Sequence, residues 1–275
     1  MSQELPHDHI TKKNVVYHIL GMDAVTIRRD VEYRATDAGA LTMDLYYPPD
    51  SQGGAPLPVV VFVAGYSDVG MQKVLGWCKF KEMAMSISWG QLAAASGVVA
   101  ITYTNSKPAA DLDALLQHVR QNAASLGIDE NRIGVFACSG NVPLALWALM
   151  QDGRAFLKCA VLLCGYMLDL DGATGVAEAA QMFRFTNPNA GKSIDDLPQN
   201  LALFVVRAGQ EQFASLNDSI DCFLAKAVSR NLPITFVNHA TGPHAFDLLQ
   251  DSEKSREIIR QILSFLRSQL LVEGS

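Results

Sequence analysis

Ser139 stands where an apolar, β-branched run, Ile133-Gly134-Val135-Phe136, closes in Ala137-Cys138-Ser139-Gly140 and a helical pattern begins almost at once. That pattern comprises Leu144, Leu146, Trp147, Leu149 and Met150, and Pro143 suits its first turn, so only a sharp turn separates strand from helix. A hydroxyl at the tip of such a turn is open to substrate. It also lies beside helix N-terminal N–H groups that receive developing negative charge. The chemistry is nucleophilic attack, and the layout is a nucleophile elbow. The turn departs from Gly-x-Ser-x-Gly: Ala137 keeps one flank small, whereas Asn141 puts a larger side chain on the other.

A serine nucleophile needs a base to take its proton and return it to the leaving group, which is work for a histidine. His244, in Gly242-Pro243-His244-Ala245-Phe246-Asp247, falls in a loop directly after the last strand-like run and is the candidate. His7 and His9 lie in the polar start, His18 precedes the first strand, and His118 has a helical setting. His239 is the competitor, but it ends the strand itself, where a structural role is commoner. The base in turn needs a carboxylate to orient it. Glu211, in Arg207-Ala208-Gly209-Gln210-Glu211-Gln212, follows the preceding strand, while Asp218 and Asp221 fit the next helix as surface charges. The developing oxyanion needs two donors. One is the N–H of Gly140; the other is expected from Gly65 or Tyr66 in the loop Val63-Ala64-Gly65-Tyr66-Ser67. The Tyr66 hydroxyl either donates directly or lines the pocket.

These residues must be held by elements that the chain spells out. Val25 to Arg34 and Leu41 to Pro48 alternate apolar and polar residues around Asp37-Ala38-Gly39, which predicts an antiparallel pair with one wet face. Pro58 to Val63, Val98 to Tyr103, the elbow strand, Cys159 to Cys164 and Leu201 to Val206 are near-continuous apolar runs, as expected of parallel strands buried on both faces, and Pro233 to Asn238 follows as the last strand. Helical patterns cover Ala109 to Leu126, the elbow helix, Leu216 to Ser229 and Glu253 to Leu271. Strand and helix alternate from Val59 onward. The fold class is therefore α/β, a mostly parallel sheet with helices on both faces, in one domain spanning residues 1–275 with a 1–24 extension.

Two long connections, Tyr66 to Ala95 and Tyr166 to Asn200, are where binding is expected. Trp77, Trp89, Met167 and Phe183 are the candidate pocket residues, and 166–200 is read as a small cap insertion. Phe80, Met83, Ala84 and Ile87 have the spacing of one apolar helix face, packed on the body or open to ligand.

Ser139, Glu211 and His244 occur in that order, each just beyond a successive parallel strand. In this the chain resembles the α/β-hydrolase family from about Val25 to Leu271, and the Gly-Pro-His-Ala-Phe-Asp segment is similar to that of its dienelactone-hydrolase and small-esterase branches. The resemblance implies a serine esterase: Ser139 attacks a carbonyl, His244 shuttles the proton, Glu211 supports it, and water releases the acyl group. Small to medium carboxylic esters are the implied substrates. The departures are Asn141, Glu211 in place of the commoner aspartate, Gln212 where relatives often carry the acid, and Ala64-Gly65-Tyr66 in place of His-Gly-Gly. Dienelactone hydrolases use cysteine at the elbow, which makes Cys138 a rival nucleophile; with Phe136 two residues before it, Cys138 is expected to point away from the pocket. A hydrolase-like ligand-binding or receptor protein, and an acyltransferase using the same three residues, are the alternatives.

Among 275 residues with a net charge of −6 and 49% hydrophobic content there is no basic stripe, which argues against nucleic acid and anionic membrane as partners. Five cysteines mostly in apolar runs, a polar start without an apolar core and no long apolar run predict a cytoplasmic protein. No Cys-x-x-Cys pair or His-Cys cluster suggests a metal, no cofactor is expected, and pairing through an edge strand or the C-terminal helix leaves monomer and homodimer both open.

Overall fold

The computed structural model describes residues 9–51, 54–76 and 78–271. Its strands are β1 (Thr26–Thr36), β2 (Gly39–Tyr47), β3 (Leu57–Phe62), β4 (Val99–Tyr103), β5 (Ile128–Cys138), β6 (Leu157–Leu163), β7 (Ala202–Gln210) and β8 (Ile234–Pro243). They form one sheet in the order β1-β2-β4-β3-β5-β6-β7-β8. β1 pairs antiparallel with β2 and β2 antiparallel with β4; every other pair is parallel. The predicted antiparallel opening and parallel body are both present. Their chemistry explains them: β1 is mostly exposed, whereas Val59, Val60, Val61, Val99, Ala100 and Ile101 are completely buried.

The helices are α1 (Asp68–Leu75), α2 (Ala84–Ala95), α3 (Pro108–Gln121), α4 (Ala123–Leu126), α5 (Val142–Leu149), α6 (Gly175–Phe183), α7 (Leu216–Ser229), α8 (Phe246–Leu249) and α9 (Glu253–Leu270). Gly134 on β5 faces Leu270 of α9, and Phe136, two residues on and so on the same side, packs at 4.8 Å on Trp89 of α2. One face of the sheet is therefore shared by α2 and α9. α3 and α5 pack on each other and on β5. The buried stripe of α9, Ile258, Ile259, Ile262, Leu263, Leu266 and Leu270, follows the helical period, and Ser252 caps its first turn through a hydrogen bond from the Ser255 N–H.

Three expectations are corrected. The helix expected over Ala109 to Leu126 breaks at Asn122, whose side-chain amide donates to the His118 carbonyl and competes with helical continuation. The connection after β3 contains an unforeseen helix, α1, capped by Ser67. Phe80 and Met83 precede α2 instead of sharing its apolar face, because a short 3-10 turn, Phe80–Glu82, intervenes.

That turn is anchored by charge. Lys81 is only 5% exposed, and its Nζ donates to Asp30 Oδ1 at 2.6 Å and Asp44 Oδ1 at 2.7 Å. Asp30 sits at positive φ (53°) in an irregular stretch of β1, where its N–H also donates to Asp44. Asp44 is buried, so removing Lys81 leaves its carboxylate with the Asp30 N–H and the half-exposed Arg29 at 3.5 Å. Lys81→Met is expected to lower unfolding free energy by about 3 kcal/mol, read as a lower urea midpoint at unchanged m. Adding Asp44→Asn to that variant is expected to restore part of the loss.

Candidate active site

Ser139 follows the last residue of β5 and adopts φ 54°, the left-handed region that a β-carbon disfavours. A single 3-10 turn, Ser139–Asn141, leads into α5. The strained serine thus stands at the tip of a strand-turn-helix elbow. A neighbouring glycine makes room for it: a Cβ on Gly165, just past β6, would lie 2.7 Å from the Ser139 carbonyl oxygen and 2.7 Å from Val142 Cβ.

His244 Nε2 lies 3.0 Å from Ser139 Oγ, and His244 Nδ1 lies 2.5 Å from Glu211 Oε2. The chain from carboxylate through imidazole to hydroxyl is continuous. Burial alone would raise the Glu211 pKa; the His244 hydrogen bond, the Phe213 N–H, the His244 charge and the Gln212 N–H together outweigh it and hold the carboxyl below its ordinary value. Both of those N–H groups bind Oε1, at 2.8 Å from Gln212 and 2.9 Å from Phe213, which leaves Oε2 for the imidazole. Phe213 then closes edge-on against the His244 ring at 4.8 Å. His239 is elsewhere: it is buried in β8, 3.4 Å from Ser255 Oγ, with burial lowering its pKa.

The loop after β3 is clamped from several sides. The Asn105 amide donates to the Ala64 and Tyr66 carbonyls, Tyr103 Oη accepts the Ala64 N–H, and the Thr186 N–H donates to the Gly65 carbonyl. The Gly65 N–H, an expected oxyanion donor, is taken: it donates to Asn141 Oδ1 at 2.7 Å. Gly65 is therefore removed from the candidate donors, and the unusual Asn141 is explained. Its side chain ties the elbow to the facing loop, a role the spacing could not reveal because it depends on a contact 76 residues away. Tyr66 remains. A Cβ on Gly140 would lie 2.5 Å from Tyr66 Oη, so the phenol sits directly beside the residue after Ser139. Burial, with Cys138 and Tyr166 nearby, pushes the Tyr66 pKa up to about 12 and keeps its proton on oxygen as a donor.

Ser139 and His244 open on a cavity of about 280 Å³. Its walls come from α1 (Met71, Leu75), from Phe80, Met83 and Met85, from Ile10, and from Phe213, Ala245 and Leu248. Leu163, Cys164, Cys138, Asn141, Tyr66 and Asp247 complete the lining. The first long connection is the largest single contributor to the wall, and no residue of 166–200 lines it.

Most of the expected pocket residues lie elsewhere. Trp89 is 1% exposed, in the core, with its indole N–H donating to Asp247 Oδ2 at 2.9 Å. Met167 is fully buried, held by a hydrogen bond from its N–H to Ser219 Oγ. Phe183 stands one layer back, packed edge-on against Phe213 at 5.4 Å. Trp77 lies outside the described residues. Aromatic content could not separate lining from core, because both are apolar and only packing decides which side chains meet empty space. Cys138 is also corrected, since it lines the cavity instead of pointing away. Burial pushes its thiol up to about 12, and its described side-chain hydrogen bond is with Asn141 at 3.6 Å, so of the two candidate nucleophiles it is Ser139 that is joined to the imidazole.

Among the described residues no group of three or more His, Cys, Asp or Glu is arranged to hold a metal ion, and no helix is long and apolar enough to cross a membrane. The five cysteines are free thiols.

A strained serine between a parallel strand and a helix, in a sheet of this order, defines the α/β-hydrolase fold, and the chain has that fold. Solved structures similar to it include the α/β-hydrolase enzyme MGS-M1 from a Medee basin deep-sea metagenome library, with a TM-score of 0.63 at 15% identity over 90% of this chain and 99% of that one. The thermophilic esterase Est2 of Thermogutta terrifontis gives 0.66 at 17% identity over 92% and 96%. Esterase LipW of Mycobacterium marinum gives 0.67 at 15% identity over 90% and 83%. No protein-family model and no curated protein sequence matches the chain.

Proposed function

We propose that this protein is a serine esterase acting on small to medium carboxylic esters through an acyl-enzyme. The observation that carries the reading is the hydrogen-bonded sequence Glu211, His244, Ser139 opening on an apolar cavity of about 280 Å³. Structural neighbours named as esterases support ester over other acyl substrates.

In the acylation half, Ser139 Oγ attacks the ester carbonyl carbon as His244 Nε2 takes the hydroxyl proton. The imidazolium is stabilised by Glu211. The tetrahedral oxyanion collapses, the C–O bond to the alcohol breaks, and His244 returns the proton to the leaving oxygen. Water then repeats the sequence on the acyl-serine and releases the acid. The oxyanion is held by the Gly140 N–H and the Tyr66 hydroxyl, the latter kept protonated by its raised pKa. Tyr66→Phe is therefore expected to lower kcat by roughly 10²-fold with KM little changed, measured on a p-nitrophenyl ester.

The reading is tested by treating the protein with a fluorophosphonate probe and mapping the modified peptide, alongside turnover of p-nitrophenyl acetate and butyrate. Labelling at Ser139 with measurable turnover is expected. A folded protein that neither labels nor turns over either ester is a ligand-binding member of the fold and not an esterase.

A further inference from the structure

The cavity beside Ser139 carries one polar group that ester hydrolysis does not use. Asp247 lines it while being only 3% exposed, and apart from the groups around Ser139 the walls are apolar, Met71, Phe80, Met83 and Met85 among them. Its Oδ2 accepts the Trp89 indole N–H at 2.9 Å. Its own backbone N–H also bonds the carboxyl, and no other described residue donates to Oδ1. A carboxyl that lines the cavity with one oxygen not committed to another residue keeps an acceptor for a ligand.

Packing does not call for a carboxyl here. A buried polar group costs free energy unless it is bonded, and an apolar side chain of similar size would fill the space without that cost. Trp89 fixes the direction of the carboxyl from behind, itself held against Phe136. Burial raises the Asp247 pKa against the lowering effects of the Trp89 N–H, its own backbone N–H and the His244 charge. A carboxyl oxygen accepts from a hydroxyl, and between otherwise apolar walls a neutral hydroxyl is desolvated at less cost than a cation.

We propose that Asp247 is a substrate-recognition residue whose Oδ1 hydrogen-bonds a hydroxyl on the part of the ester that enters this cavity. The proposal rests on the esterase reading above and narrows its substrates to hydroxy-substituted esters. A site built around a buried polar group rejects an analogue that lacks the partner, because the group is then left unpaired.

The test compares kcat/KM for p-nitrophenyl 3-hydroxybutyrate and 6-hydroxyhexanoate with butyrate and hexanoate, and for 4-hydroxybutyl acetate with butyl acetate. The hydroxylated member of at least one pair is expected to be favoured by roughly tenfold or more. Asp247→Asn keeps an oxygen for Trp89 and a donor toward the cavity, so it should retain the preference; Asp247→Leu should abolish it. Wild-type ratios near one in every pair overturn the assignment without any variant. So does an Asp247→Leu protein that loses rate equally on both members of a pair, since that marks Asp247 as only a support for Trp89.

A separate readout distinguishes failure of this proposal from failure of the esterase reading. Binding of 3-hydroxybutyramide and butyramide to the Ser139→Ala protein is followed by NMR titration, where no turnover is needed. Tighter binding of the hydroxyamide, removed by Asp247→Leu, sustains the recognition even if no ester is cleaved. Where no ester is cleaved, equal binding of the two amides overturns it.

Discussion

Ser139→Ala is expected to lower kcat on a short-chain aryl ester by roughly 10⁴-fold or more while leaving KM within a few-fold. Among the described residues the hydroxyl is the one group joined to the imidazole on the substrate side, at 3.0 Å, and the neighbouring Cys138 thiol, with its pKa pushed up to about 12, is no substitute at neutral pH. His244→Ala should cost about as much, because an unassisted serine hydroxyl is a weak nucleophile. The double variant should be no slower than either single one, since two groups that act in one proton transfer are lost together. Steady-state kinetics on the three proteins decide this. Additive losses would mean that Ser139 and His244 serve separate steps. Fold is controlled by the thermal midpoint: removing Oγ at a position with φ 54° leaves the backbone strain as it was.

Glu211→Gln should be nearly as damaging, by roughly 10³-fold or more in kcat, for a reason visible in its hydrogen bonds. Oε1 accepts two backbone N–H groups, from Gln212 and Phe213, so in the variant the amide oxygen must take that place. The amide NH₂ is then forced toward His244 Nδ1, where it donates instead of accepting. That puts the imidazole proton on Nε2, the atom that must accept from Ser139. Glu211→Asp, one methylene shorter, cannot span both contacts and should show an intermediate loss.

The same substitution should change acid stability. The folded-state pKa of Glu211 is held below its ordinary 4.5, so ionisation contributes stability above about pH 4.5 that is lost as pH falls through the lower folded value. Wild-type urea midpoints should therefore fall across that acid window, and the Glu211→Gln midpoint should fall less. Parallel curves for the two proteins would mean that the carboxylate is not bound in the folded state as the structure has it.

How legible the fold was depended on the element. The apolar runs that become β3 to β7 are long, β-branched and bounded by turn residues, and a strand buried on both faces leaves that mark with no help from distant contacts. The alternation in β1 and β2 marked the antiparallel pair equally well. The connection after β3 was harder to read. α1 is short, and the Phe80–Glu82 turn owes its place to Lys81 reaching Asp30 and Asp44 on the two opening strands, partners 51 and 37 residues away.

The candidate site divides in the same way. By itself the sequence determined that a serine, a glutamate and a histidine would each stand just beyond the C-terminal end of a parallel strand, because strand ends and turns are local properties of the chain. Only the tertiary structure decided the rest. It gave the Gly65 N–H to Asn141, turned Trp89 into the core to hold Asp247, and built the cavity from Met71, Leu75, Phe80 and Met83 while Met167 and Phe183 went elsewhere. Each of these is a choice between equally apolar or equally polar side chains. Such choices are settled by shape, by which atoms remain unpaired after close packing, and by contacts between residues far apart in the chain.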